Sequence, residues 1–254
     1  MRCVHVLSPH RDDAVFSLFF ALCEWSAGGV RLKVTNFFTH SAYAPHTHVS
    51  DAGAITAIRK REDRSALAKI SHRIRVRDCG LIDAPLRLGI PASRVFYTEA
   101  NERDIESVAG SMRGTANELT LAPLGLGGHV DHITVRRAAT LATPANQLAF
   151  YEDLPYAMWS EAQLHGILAE IQRILGRRLS PRIIRSRCSV FEKRAAAARY
   201  RSQITAEEAN AMAAWSRRYG VGERIWFARP VSSESNRLPE NLGERPLRID
   251  PACN

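Results

Sequence analysis

Ser8-Pro9-His10-Arg11-Asp12-Asp13 is the stretch that decides how this chain is read. It follows an apolar run, Cys3-Val4-His5-Val6-Leu7, which reads as a first β-strand. It precedes a strongly apolar segment, Ala14 to Trp25, which reads as a helix. An imidazole and two carboxylates therefore fall at a strand-to-helix turn. In open α/β sheets that edge is where ligands bind.

Outward from this turn, Val30 to Phe38 is β-branched and aromatic and reads as a second strand after Gly28-Gly29. Thr39 to Gly53 has no period and holds His40, His46 and His48. A loop of that length is either a flexible surface segment or a lid over the first turn. Ala54 to Ile70 reads as a helix with Ile55, Ile58, Leu67 and Ile70 as its apolar positions and Arg59 to Asp63 mostly as its solvated face. Arg73 to Gly80 reads as a third strand, Leu86 to Asn101 as an irregular insertion, Asp104 to Arg113 as a helix and Glu118 to Ala122 as a short strand. Pro123-Leu124-Gly125-Leu126-Gly127-Gly128-His129-Val130-Asp131-His132 is then a strand exit, a glycine-rich turn and a helix opening. Its two histidines are three apart and share a helix face. Gln147 to Tyr151 is a further strand.

This alternation predicts an α/β fold with a doubly wound, mostly parallel sheet. The turns near residues 10 and 130 would converge on one crevice. Further on, the pattern predicts helices at Ser160–Leu175, Glu192–Gln203 and Glu207–Tyr219, and strands at Arg182–Cys188 and Glu223–Arg229. Residues 1–229 are expected to form one domain, a core of about 1–156 with a C-terminal α/β extension over 157–229. Residues 230–254 are rich in Ser, Asn, Pro and Glu and read as a tail.

A length of 254 residues suffices for a core without staples. The net charge is +9, from 35 Lys+Arg against 26 Asp+Glu. The basic residues are spread along helices, as at Arg136-Arg137, Arg177-Arg178 and Arg217-Arg218, with no compact run interleaved with aromatics. That reads as a solvated surface rather than a nucleic-acid face, with some pull on anionic partners. The cysteines, Cys3, Cys23, Cys79, Cys188 and Cys253, are odd in number and form no CxxC. That argues against a disulfide framework or a thiolate zinc site. The first residues lack a signal-peptide pattern, and no apolar run approaches the roughly 20 residues that span a bilayer. The expectation is a cytoplasmic protein.

His10, Asp13 and His132 offer two imidazoles and one carboxylate, a three-ligand set of the kind catalytic zinc uses while keeping a position open for water. A metal there lowers the pKa of water and polarises a carbonyl. Asp12 would serve as general base, and His129 as acid or oxyanion donor. Asp12 or Asp13 would equally serve as a helix cap, and His129 and Asp131 would suit the opening of the second helix. Gly125-x-Gly127-Gly128 is not a dinucleotide fingerprint, because Val130 stands where the third glycine belongs. No P-loop or Gly-x-Ser-x-Gly elbow is present.

Pro-His-Arg-Asp-Asp at 9–13 resembles the Pro-His-x-Asp-Asp signature of the LmbE-like, or PIG-L-like, deacetylases. Gly-Gly-His-Val-Asp-His at 127–132 resembles their second signature, His-x-Asp-His. Weaker echoes are Arg59-x-x-Glu62, Asp83, Tyr151 to Tyr156 and Tyr200-x-Ser202-Gln203. The resemblance implies a Rossmann-like, three-layer fold and a zinc-dependent hydrolase, with Fe2+ or Mn2+ as other fits. The reaction implied is removal of an N-acetyl group from an amino-sugar-containing small molecule. By position, His10, Asp13 and His132 would bind metal, and Asp12 would activate water. His129, held by Asp131, would stabilise the oxyanion or protonate the amine. Arg59 and Asp83 would meet sugar hydroxyls. Some members carry a Tyr where this chain has Gly127, and Tyr43 is the substitute this sequence offers. One alternative is a metal-dependent amidase acting on a thiol conjugate or another N-acyl metabolite. A second is an anionic-partner binding module with a degenerate site, against which the intact His10, Asp12, Asp13 and His132 argue.

Overall fold

β1 (Cys3–Ser8) is buried at every position, as a strand in the middle of a parallel sheet must be when both faces are covered. The computed structural model describes residues 3–112 and 118–229. Its sheet has seven strands in the order β3 (Arg75–Ile82), β2 (Arg31–His40), β1, β4 (Leu119–Pro123), β5 (Leu148–Tyr151), β7 (Gly222–Arg229) and β6 (Arg178–Arg185). The first five are mutually parallel; Val6 of β1, for example, faces Val34 on one side and Leu121 on the other. β7 joins β5 antiparallel, with Phe150 opposite Trp226, and β6 joins β7 antiparallel. The chain runs outward from β1 to β3, then returns past β1 to start β4. The strand order therefore reverses between β1 and β4, and a ligand crevice is expected beyond their C-terminal ends.

Among the described residues, eight α-helices flank the sheet: α1 (Asp13–Ala27), α2 (Ala52–Ala68), α3 (Ala84–Leu88), α4 (Glu102–Ser111), α5 (Val130–Ala142), α6 (Leu164–Leu175), α7 (Val190–Ala197) and α8 (Ala206–Trp215). α1 and α2 pack with α7, while α5 packs with α4 and α6. α1 is buried on nearly all sides, because it lies on the sheet and is covered in turn by α7; a helix apolar all round needs such a place. No described helix is long and apolar enough to cross a membrane.

Three readings are corrected. In α2 the buried stripe is Ile55, Arg59, Asp63, Ala66 and Leu67, so Arg59 and Asp63 face inward rather than to solvent. Steps of four keep Ile55, Arg59, Asp63 and Leu67 on one face, and the two charged members find buried partners described below. The penultimate basic strand starts at Arg178, not Arg182, and contains Pro181. That proline is tolerated because β6 is the sheet's outer edge. Residues 86–101 are not wholly irregular: α3 and a 3-10 turn at Ala92–Tyr97 occupy much of the stretch. The expected tail at 230–254 and Arg113 lie outside the described residues; the helix expected to run to Arg113 closes at Ser111, with Met112 extended.

Candidate active site

The turn after β1 is built from within. The Ser8 hydroxyl accepts the Ala14 N–H (3.2 Å) and so takes up a free donor of the first turn of α1. Asp12, just before α1, makes no side-chain cap. Asp13 turns its carboxylate back on the loop and accepts the His10 N–H at 2.7 Å. Neither acid is spent on capping, so both remain for the crevice. Asp13 Oδ2 lies 3.4 Å from His10 Nδ1, and Asp13 Oδ1 lies 3.4 Å from His132 Nε2.

β4 delivers the second turn. Gly125, Gly127 and Gly128 all have positive φ, which glycine adopts without strain. His129 is the N-cap of α5, and its Nδ1 accepts the Asp131 N–H at 3.2 Å. That bond leaves the proton of the neutral ring on Nε2. His132 is fully buried; its Nδ1 lies 2.7 Å from Asp153 Oδ1, and its Nε2 has no hydrogen-bond partner. One ligand atom each from His10, Asp13 and His132 fall within 4.8 Å of one another, as do those of His10, His129 and Asp131. The two turns do meet.

The turn after β5, marked in the sequence only as a weak echo over Tyr151 to Tyr156, supplies a residue whose role the sequence reading missed. Asp153 anchors His132 and accepts the N–H groups of Gly125 (2.8 Å) and Leu126 (3.0 Å). A carboxylate behind a metal-facing imidazole fixes its ring and its tautomer. Its place at a strand end in the same sheet was the available signal. Three residues on, the Tyr156 ring stands 5.3 Å from the His132 ring and 6.1 Å from His129. A Cβ on Gly127, at φ +80°, would come within 2.7 Å of Tyr156 Cβ. Glycine at 127 is thus what admits Tyr156 to the site.

Asp131 departs from the expected role. Its carboxylate accepts the Ala84 N–H (2.9 Å), meets Arg87 Nη2 at 2.7 Å and lies 3.1 Å from His10 Nε2. Only its backbone N–H touches His129, so the side chain holds His10, not His129. Asp83 is the N-cap of α3, accepting the Leu86 N–H at 3.4 Å, and it also lines the cavity. Arg59 donates to Ser41 Oγ (3.0 Å) and reaches Asp12 at 3.5 Å. Tyr43 lines the cavity too, while its backbone carbonyl accepts from Gln203 at 3.1 Å. His40, His46 and His48 are not among the residues lining it.

The electrostatics ask for a cation. Burial lowers the His10 pKa, yet hydrogen bonds to Asp13 and Asp131 overcome this and raise it to about 10. Burial likewise works against His132⁺, but the Asp13 and Asp153 carboxylates raise its pKa above the ordinary histidine value. Asp13 goes down to about 2: burial opposes ionisation, while the His132 charge and the His10 hydrogen bond favour it more strongly. His129 is pushed well below the histidine range, first by burial and then by the His10 and His132 charges. One ring at this site is thus kept neutral beside others that attract positive charge. The cavity above has a volume of about 390 Å³.

Residues 5–143 match the family model described as PIG-L: GlcNAc-PI de-N-acetylase. The chain is 35% identical over 164 residues to the 2'-N-acetylparomamine deacetylase of Streptomyces fradiae, a match covering 60% of this chain and 57% of that protein. Its fold is that of the zinc-inhibited form of teicoplanin deacetylase, with a TM-score of 0.64 and 22% identity over 92% of this chain and all of that one. The A40926 pseudoaglycone deacetylase shares it too, at a TM-score of 0.61 and 23% identity over 91% of this chain and 98% of the other.

Proposed function

The chain belongs to the PIG-L family, and from that premise we propose that it is a metal-dependent N-deacetylase acting on an amino-sugar-containing small molecule. The observation that carries the reading is the buried meeting of His10, Asp13 and His132 beside a cavity into which Asp12 opens. The unpartnered His132 Nε2 and the pull of the carboxylates on cations both fit a divalent ion. His10, Asp13 and His132 would hold it, and a bound ion would supply Lewis acidity and acidify water. We assign zinc, from the two-His, one-carboxylate set; Fe2+ and Mn2+ suit the same donors, and metal-replete assays with each ion decide.

The remaining roles belong to the chain's own side chains. Asp12, oriented by Arg59, takes a proton from water as the oxygen bonds to the acyl carbon, and returns it to the departing nitrogen as the C–N bond breaks. His129 Nε2–H donates to the carbonyl oxygen as charge builds there. A neutral donor suits this, and burial keeps His129 neutral. The products are acetate and a free amine. Natural-product biosynthesis is the setting we infer, from the activity named for the Streptomyces fradiae relative. The free thiols at Cys3, Cys23, Cys79 and Cys188 suit the reducing cytoplasm.

The test is metal analysis of the purified protein together with acetate release from N-acetylglucosaminides. We expect one divalent ion per chain. Asp12→Asn should retain the ion and lose roughly 10²–10⁴ of the turnover, the range of general acid–base catalysis. Full activity in Asp12→Asn would remove the base from the scheme.

A further inference from the structure

The opposite end of the sheet holds another cavity. β1, β2 and β3 begin there, whereas His10, Asp13 and His132 follow the far ends of β1 and β4. Its volume is about 600 Å³, within the ~300–1,000 Å³ range of sites that enclose small ligands. Four cations line it, Arg31, Lys33, Arg73 and Arg75, and no Asp or Glu is among the described residues that do so. Lys33 is matched by Glu118 at 2.9 Å. Arg31, Arg73 and Arg75 are exposed and make no ion pair among the described residues.

The strand register makes this grouping costly. Lys33 of β2 stands directly opposite Arg75 of β3, and like charges so placed across a sheet are destabilising. Arg31, two residues before Lys33, lies on the same face. Arg73 adds a third guanidinium from the turn that leads into β3. An anion seated among these groups removes the repulsion. Val30, Leu32 and Ile74 line the same cavity and give it an apolar wall.

We propose that this cavity is a binding site for a phosphorylated small molecule of the nucleoside diphosphate kind. The guanidinium forks of Arg31, Arg73 and Arg75 take the phosphate oxygens, a geometry they match bidentately. The organic body rests on Val30, Leu32 and Ile74. Cations spread over two strands and a turn suit two linked phosphates better than one. The site needs neither the metal nor the deacetylase reaction.

The probes are ADP, pyrophosphate and adenosine. Each is titrated calorimetrically into the wild type, into Arg73→Gln/Arg75→Gln, and into Arg103→Gln/Arg173→Gln, which removes the same charge from exposed positions on α4 and α6. We expect ADP to bind the wild type about tenfold or more tightly than pyrophosphate, and adenosine more weakly than either. Arg73→Gln/Arg75→Gln should raise the ADP Kd by about tenfold or more, and Arg103→Gln/Arg173→Gln by less than about twofold. The first double variant should melt no lower than the wild type, because losing Arg75 relieves Lys33; its weaker binding is then a loss of the site and not of the fold. No ADP binding, ADP binding that survives in Arg73→Gln/Arg75→Gln, or an equal loss in both double variants overturns the site. Pyrophosphate binding as tight as that of ADP overturns the assignment of an organic body. Binding of poly-glutamate without binding of ADP would give the patch to an acidic protein partner and likewise overturn the proposal.

Discussion

At Gly127 one missing methyl group shapes the site. Gly127→Ala would drive a Cβ to 2.7 Å from Tyr156 Cβ at a φ of +80°, so both sterics and backbone oppose it. We expect a loss of about 1–3 kcal/mol in urea unfolding together with reduced turnover; an unchanged protein would show that Tyr156 moves freely. Asp63 makes a second residue-level case. It is buried between the Tyr200 hydroxyl and the Asn36 amide, each at 3.0 Å. Burial raises its pKa from 3.8 to about 7 despite those hydrogen bonds. A carboxyl raised in this way stabilises the fold fully below its unfolded value, and the contribution is lost as pH rises through the folded one. Asp63→Asn stays neutral throughout. The Tm of wild type relative to Asp63→Asn should therefore fall as pH goes from about 5 to about 8, and a constant difference would contradict the shift. Sequence showed His10, Asp12, Asp13 and His132 through their types and spacing. It showed Arg59 only through the family resemblance and hid Asp63, because charged residues on a helix read as solvated until Ser41, Asp12, Tyr200 and Asn36 are seen across from them.

At the scale of elements, three strand ends build the centre: β1 brings His10 and Asp13, β4 brings His132, and β5 brings Asp153. The first two ends were legible, since an apolar strand followed by His and Asp is a local pattern. The third end showed only as a weak echo over Tyr151 to Tyr156, with no role for Asp153, because Asp153 acts through His132, which is distant in sequence. Asp153→Asn can still accept the Gly125 or Leu126 N–H but no longer supplies a charge to His132 Nδ1. We expect the fold to persist and metal affinity to fall about 10–100-fold, the usual effect of losing such a support, as read by competition with a chromophoric chelator. Unchanged affinity would mean that His132 orients itself. β1 declared itself by its apolar run, and β1, β4 and β5 are buried at every position, whereas Pro181 concealed the true start of β6, since its edge position appears only once the sheet is assembled.

Across the whole molecule, a buried ion pair joins α7 to the last described strand, and its carboxylate also ties that strand to the first helix. Lys193 of α7 is fully buried and meets Glu223 of β7 at 2.7 Å, and Glu223 also accepts the Ala21 N–H of α1 at 2.9 Å. Lys193→Met would strand a buried carboxylate, and we expect a loss of about 3–5 kcal/mol in chemical denaturation. Lys193→Met with Glu223→Leu should recover most of it; a double variant no better than the single would show that the pair is a net stabiliser. The same late strand has another task, because β7 covers the outer rim of β5, and Phe150 must wait for Trp226. While the polypeptide is being made, that rim stands bare, with apolar side chains and unmatched amides open to any neighbouring chain. The closing segment is therefore a guard over that rim: once β7 is in place the open side of the sheet passes to β6, where Pro181 offers no N–H to a further strand.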